Sequence, residues 1–414
     1  MPLPVPHSAP TEPDRALGKP AERWSAQVFQ PFPAEPRLLF GRVAARSAFF
    51  GRTGSTGGER VLIGSSAGTD PGEVAVRARG ELLERMGSVL AGREAEQAPT
   101  VQASHAELRR RGDAVLDPAP WSGADSRAAR QLWVPGRSLL SGDEILVPAG
   151  LAFLQHRPPA GCAVPSRSGS TGLSAHPRRA AALAHAAHEV LERDLLRRSW
   201  CAPALYPPTA HAVRCELPPA VVRLCEELGL LATALTLPTP APGACAVAVC
   251  LHTADRREQS FGARFGPTGQ RADLLARAAY EALMVRWSMT TPAALRAGQR
   301  LSVTGVPSDA VDHALWAFHG GQDALAHWLG DTPVGGPTTP LPDPGDGSAS
   351  TPDDPDDPVR LLAAYTGQDV VAVEYAPAAL RDEGLAFVRL LAPGARPLPS
   401  ASRTDPGVPP HPFG

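Results

Sequence analysis

The sequence predicts an α+β fold, with mixed sheets and long helices in place of a doubly wound parallel sheet. Three observations carry this. Long stretches have helical periodicity, chiefly Gly72–Ala91, Pro177–Trp200 and Gln270–Met289. Short valine-rich runs at Ala244–Thr253, Asp369–Tyr375 and Ala386–Leu391 read as strands. The two kinds of segment do not alternate in a regular βαβ rhythm.

The elements follow in chain order. Residues 1–36 are rich in Pro and Glu and predict a loosely ordered lead-in. A main domain is expected over 37–414, with helices also at Pro218–Leu228 and Asp309–Leu329. The stretch 331–358 is nearly all Pro, Gly, Asp, Ser and Thr. It has too little apolar surface to offset its ordering entropy, so a disordered insertion is predicted there. A Pro-rich tail runs from 393 to 414.

Composition narrows the function classes. The chain has 414 residues, 43% of them apolar, and a formal net charge of -2. That charge gives no reason to expect nucleic acid or an anionic membrane as partner. No apolar run reaches membrane-spanning length and no signal peptide opens the chain, so a cytoplasmic protein is expected. Lys19 is the only lysine, and asparagine is absent. A Walker-type phosphate loop, which needs a Gly-Lys step, is therefore excluded. None of the six cysteines forms a C-x-x-C pair, so neither a zinc knuckle nor a redox motif is indicated.

Two helices carry the same short pattern. Glu81-Leu82-Leu83-Glu84-Arg85 and Glu189-Val190-Leu191-Glu192-Arg193 are both E-x-x-E-R. Carboxylates three apart share a helix face. A third helix offers Arg277 and Glu281, four apart. Mg2+ prefers carboxylate and phosphate oxygens, and arginines bind phosphate in bidentate fashion. One such motif alone is usually a solvated, salt-bridged face. Two in the same register, set among apolar residues, point to an ion site, because unpaired charges there are costly.

These residues resemble the YcaO family. Its members carry a helix ending in E-x-x-E-R, matched by Glu81, Glu84 and Arg85. A second family block, S-N-G-L-A-x-G, precedes a helix ending in E-x-x-E-R-D. Here it reads Ser170-Thr171-Gly172-Leu173-Ser174-Ala175, then Glu189 to Asp194. The third is an Arg four residues before a Glu, as in Arg277 and Glu281. The closing Pro409-Pro410-His411-Pro412-Phe413 also looks familiar. The family Asn is Thr171 here, His176 stands where Gly is usual, and the chain ends Phe413-Gly414, where many azoline-forming relatives end in Pro.

The resemblance implies a YcaO-like fold with ATP and Mg2+ as cofactors. It implies Glu81, Glu84, Glu189, Glu192 and Glu281 as metal ligands. Ser168, Ser170, Arg85, Arg193 and Arg277 are carried over as nucleotide contacts. The implied activity is activation of backbone amides in a ribosomally made precursor peptide, converting Cys, Ser or Thr to azolines in natural-product biosynthesis. Thioamide or macroamidine formation are variants, and a degenerate scaffold that binds peptide without turnover is the other class. The tail end, with the carboxylate of Gly414 as a proton-transfer group, stands beside plain disorder as a reading of 393–414. A separate leader-binding, adenylating-enzyme-like protein or a sulfur-delivery protein is the implied partner, and a homodimer is compatible with the resemblance. Other residues read as structural: His185 and His188 as helix-surface or packing histidines, Cys245 and Cys250 as core, Trp200 and Trp287 as packing groups.

Overall fold

In a computed structural model, residues 24–413 are described except 52–60, 99, 166–168, 206–210, 240, 242, 305–306, 308–309, 321–322, 330–356 and 399–407. Antiparallel pairing builds three sheets from the described strands. The first joins β1 (Gln27–Phe29), β2 (Leu39–Arg46) and β3 (Val61–Gly68) in that order. The second orders β4 (Val101–Ala103), β5 (Gln131–Ser138), β12 (Val371–Tyr375), β13 (Ala386–Leu391) and β7 (Leu173–His176), with β6 (Glu144–Pro148) also on β5. The third orders β11 (Ser260–Pro267), β10 (Ala244–His252), β9 (Leu231–Leu237) and β8 (Val213–Cys215). The α+β expectation holds.

Three long helices cover these sheets. Helix α1 (Pro71–Gln97) lies on β2 and β3 and reaches β7. Asp70 caps it by accepting from Glu73 N at 2.7 Å, and Pro71 takes the first turn, where a missing N–H costs nothing. Helix α2 (Arg179–Leu205) packs on β7 and β13 and also meets β11. Helix α3 (Arg271–Met289) covers β10 and β11 and touches β3. Cys245 and Cys250 lie in the fully buried β10, where burial pushes both thiols up, and both pack in the core.

Shorter helices follow: α4 (Pro292–Thr304), α5 (Ala310–His319), α6 (Ala324–Leu329) and α7 (Pro358–Thr366). The single helix expected over Asp309–Leu329 is thus two. Gly320 ends the first: its N–H bonds Trp316 O at 2.9 Å, and a Cβ there would sit 2.2 Å from that oxygen. Asp323 starts the second by accepting from Ala326 N at 2.9 Å.

The expected loose segments are only partly described. Within 24–36, Trp24 is buried and β1 pairs with β2, so this part of the lead-in belongs to a sheet. Most of the predicted insertion lies outside the described residues; its last two, Asp357 and Pro358, cap and open α7. Of the tail, residues 408–413 are described. Val408, His411 and Phe413 are buried, so this stretch is packed and not disordered. Phe413 meets the Trp328 ring at 5.5 Å and the Phe261 ring at 5.9 Å.

Candidate active site

Among the described strands each sheet ends in an edge strand, β3, β11 or β7, and a glutamate meets each edge. On β3, Ser65 N donates to Glu81 Oε2 at 2.5 Å. On β11, Ala263 N donates to Glu281 Oε2 and Phe265 N to Glu192 Oε2, both at 3.1 Å. Just before β7, Gly172 N donates to Glu189 Oε2 at 2.9 Å. The carboxylates satisfy edge N–H groups that would otherwise be open to another strand.

Glycines make this close approach possible. A Cβ on Gly64 would lie 2.1 Å from Ala78 O of α1, and a Cβ on Gly262 would lie 2.1 Å from Ala278 O of α3. Only a bare backbone lets helix and strand come so near. In each unit the residue after the glycine then binds the glutamate one turn beyond that alanine. Gly172 has φ +82 in a tight turn closed by Leu173 N to Ser170 O at 2.9 Å, a conformation that favours glycine.

Four arginines face these glutamates. Arg85 pairs with Glu81 Oε1 at 2.5 Å and donates to Ile63 O at 2.7 Å. Arg264 pairs with Glu281 at 2.5 Å. Arg193 lies 3.9 Å from Glu192 and feels the charges of Glu189 and Glu281 as well. Arg389, on β13, donates to Gly169 O at 2.8 Å and is attracted by Glu189 and Glu84.

Electrostatics separate this site from an ordinary salt-bridged surface. Burial raises Glu84 well above the carboxylate range, and the neighbouring Glu189 charge adds to it. Burial likewise raises Glu189, and it raises Glu192 to about 7 against the pull of Arg264 and Arg193. Burial lowers Arg389 to about 10. The carboxylates are short of positive charge in a cleft that still admits solvent. Arg193 Nε and Arg389 Nε are buried with no hydrogen-bond partner among the described residues. Two buried guanidinium donors are thus unmatched beside carboxylates that burial holds above their usual range, and a phosphate chain with Mg2+ would supply acceptors for the first and cations for the second.

No group of three or more His, Cys, Asp or Glu among the described residues has the geometry of a self-sufficient metal cage. Mg2+ takes few protein carboxylates and completes its shell with water and phosphate. All five predicted glutamates come together, with Arg85 and Arg193. Arg277 does not join them: it is exposed and pairs with Asp273 at 2.9 Å. Ser170 holds the glycine turn beside Glu189. Ser168 and Gly414 lie outside the described residues. Arg264 and Arg389 were missed by the sequence reading. Each is the only charge in an apolar strand, and that was the available signal.

Carboxylates on three helices, with arginines between them, make this cleft the candidate site for a polyphosphate with its metal ions. The sequence profile of the YcaO family, described as YcaO cyclodehydratase, ATP- and Mg2+-binding, matches residues 65–396. The chain belongs to the YcaO family, whose cofactors are ATP and Mg2+. Its fold is similar to that of YcaO from Methanopyrus kandleri bound with AMPPCP and Mg2+, at 20% identity and a TM-score of 0.57, over 90% of this chain and 86% of that one. A heterocyclase in complex with substrate and cofactor matches at 18% identity and TM-score 0.62; this chain is covered to 90% but spans only 50% of that protein. A chain of the E. coli microcin synthetase McbBCD complex matches at 13% identity and TM-score 0.55, over 90% and 87% of the two chains. No curated protein matches the sequence significantly. Among the described residues no helix is long and apolar enough to cross a membrane.

Proposed function

We propose that this chain uses ATP and Mg2+ to activate backbone amides of a ribosomally made precursor peptide, converting Cys, Ser or Thr to azolines. One observation carries the reading: five glutamates from three helices converge with four arginines in one cleft. Glu81, Glu84, Glu189, Glu192 and Glu281 would hold Mg2+. Arg85, Arg193 and Arg264 would take phosphate oxygens, and Arg389 would orient the Gly169–Gly172 turn. Bound ATP supplies the phosphoryl group that turns an amide oxygen into a leaving group. The chain's own residues neutralise charge and hold the reacting groups together.

The nucleophile belongs to the substrate, so thioamide or amidine formation would use the same residues. A scaffold without turnover is disfavoured, because the retained carboxylates are a standing electrostatic cost unless cations meet them. The peptide's leader would be held by a separate partner protein, a reading supported by the likeness to a chain of the multi-protein microcin synthetase McbBCD complex. Calorimetric titration with AMPPCP, with and without Mg2+, tests the reading. Mg2+-dependent binding that is lost in Glu189→Ala is expected. No binding by the folded wild-type chain would sink it.

A further inference from the structure

Two residues of β3 belong to two sites at once. Ile63 O accepts from Arg85 and Ser65 N donates to Glu81, so their main chain borders the cleft. The same residues line a second space, a cavity of about 410 Å3 between the first sheet and the facing parts of α3 and α4. That volume is within the range of small-ligand pockets.

The walls are apolar. The rings of Phe29, Phe40 and Trp287 stand 5.2 to 6.1 Å apart, and Met284 and Met289 complete them. Methionines let such a wall adapt to different shapes. Two of the three lining hydroxyls are already engaged. Thr291 Oγ1 donates to Ser288 O at 2.8 Å and accepts from Ala294 N at 3.3 Å, and Ser65 Oγ donates to Glu81 at 3.4 Å. A nucleobase edge placed here would trade its water for few partners. An apolar side chain loses nothing and gains burial. At the mouth, Val311 is 53% exposed, and Arg42 is exposed without a hydrogen-bond or ion-pair partner among the described residues.

We infer that this cavity receives a large apolar side chain of the precursor peptide, next to the residue being modified, with Arg42 facing an acidic or carbonyl group of the same segment. That the occupant is a peptide rests on the amide-activating reading. The shared β3 backbone sets the spacing: a peptide with its reacting amide against the carboxylate cleft is one strand away from the cavity. The cavity thus selects which Cys, Ser or Thr is modified, by the size of its neighbour.

The test is saturation-transfer NMR on the full chain with AMPPCP and Mg2+. The probes are the synthetic peptides N-acetyl-Gly-Phe-Cys-Gly-amide and its alanine counterpart, N-acetyl-Gly-Ala-Cys-Gly-amide. The phenylalanine peptide should bind about tenfold more tightly, with the strongest transfer to its ring. Val311→Trp, at the exposed mouth where folding is undisturbed, and Ala297→Trp, in the wall, should each remove that preference. AMPPCP affinity should stay within about twofold in both, since neither substituted residue is among those that bond the cleft's glutamates. Equal binding of the two peptides to the wild type overturns the proposal, and so does a preference that both variants keep. Loss of AMPPCP affinity in both variants with the peptide preference intact gives the cavity to the nucleotide instead, and also overturns it. A wild type that fails to bind AMPPCP sinks the amide-activating reading separately, and the phenylalanine preference can still be read.

Discussion

The two halves of the motif on α2 do opposite work. From Glu189 to Arg193, polar groups face the cleft incompletely neutralised: burial raises both carboxylates, and Arg193 Nε has no hydrogen-bond partner among the described residues. From Asp194 to Trp200, polar groups are fastened. Asp194 is fully buried and accepts from Arg198 Nε and Tyr365 Oη at 2.6 Å and from Arg396 N at 2.7 Å. Arg197 donates to Pro397 O at 3.0 Å, and Trp200 Nε1 to Pro409 O at 2.9 Å. One stretch of helix thus joins a site that needs a ligand to a clamp that holds the tail. Unsatisfied charge is the mark of the first and saturation the mark of the second.

Substitutions at the two ends should separate along that line. The largest effect on stability is expected from Asp194→Ala, which strands Tyr365 Oη and Arg396 N and should cost about 3 kcal/mol in denaturant unfolding. Glu189→Ala should cost little or no stability but weaken AMPPCP binding in Mg2+ by about 100-fold in calorimetry. A comparable loss of stability in Glu189→Ala would erase the contrast.

The pH response sharpens it. The folded-state value of Glu192 is raised to about 7 from 4.5, so the folded ligand-free chain holds more protons than the unfolded one between those limits. Stability should therefore fall as pH rises from about 4.5 to 7. Saturating Mg2+ and AMPPCP should flatten that slope in thermal melts, because cations meet the carboxylates. Next in size, Gly262→Ala should destabilise by about 1–3 kcal/mol, since the new methyl meets Ala278 O of the packed helix. The smallest change is expected from Arg277→Ala. Its pair with Asp273 is an exposed contact one helical turn apart, worth about 0.5 kcal/mol or less. Because folding is spared, any loss of nucleotide affinity in that variant reports direct contact.

Much of the fold was legible. The starts of α1, α2 and α3 carry helical period and Pro signals, and β10 and β13 are apolar runs bounded by breakers. Strands β2, β3 and β11 were not read, because Gly41, Gly64 and Gly262 interrupt their apolar pattern. Those glycines are where α1 and α3 press on the sheets, a reason that exists only in three dimensions.

By itself the sequence determined which helices bear the glutamates and in what register, because helical period places residues three and four apart on one face. It also determined that no lysine phosphate loop is present. Only the tertiary structure decided that Arg264 and Arg389, far apart in sequence, complete the cleft, that Arg277 turns to Asp273, and that the tail docks on α2. Local periodicity fixes the direction of a side chain along its own helix. Which charges meet across three sheet edges depends on how close the backbones come, and that is set by packing between segments distant in the chain.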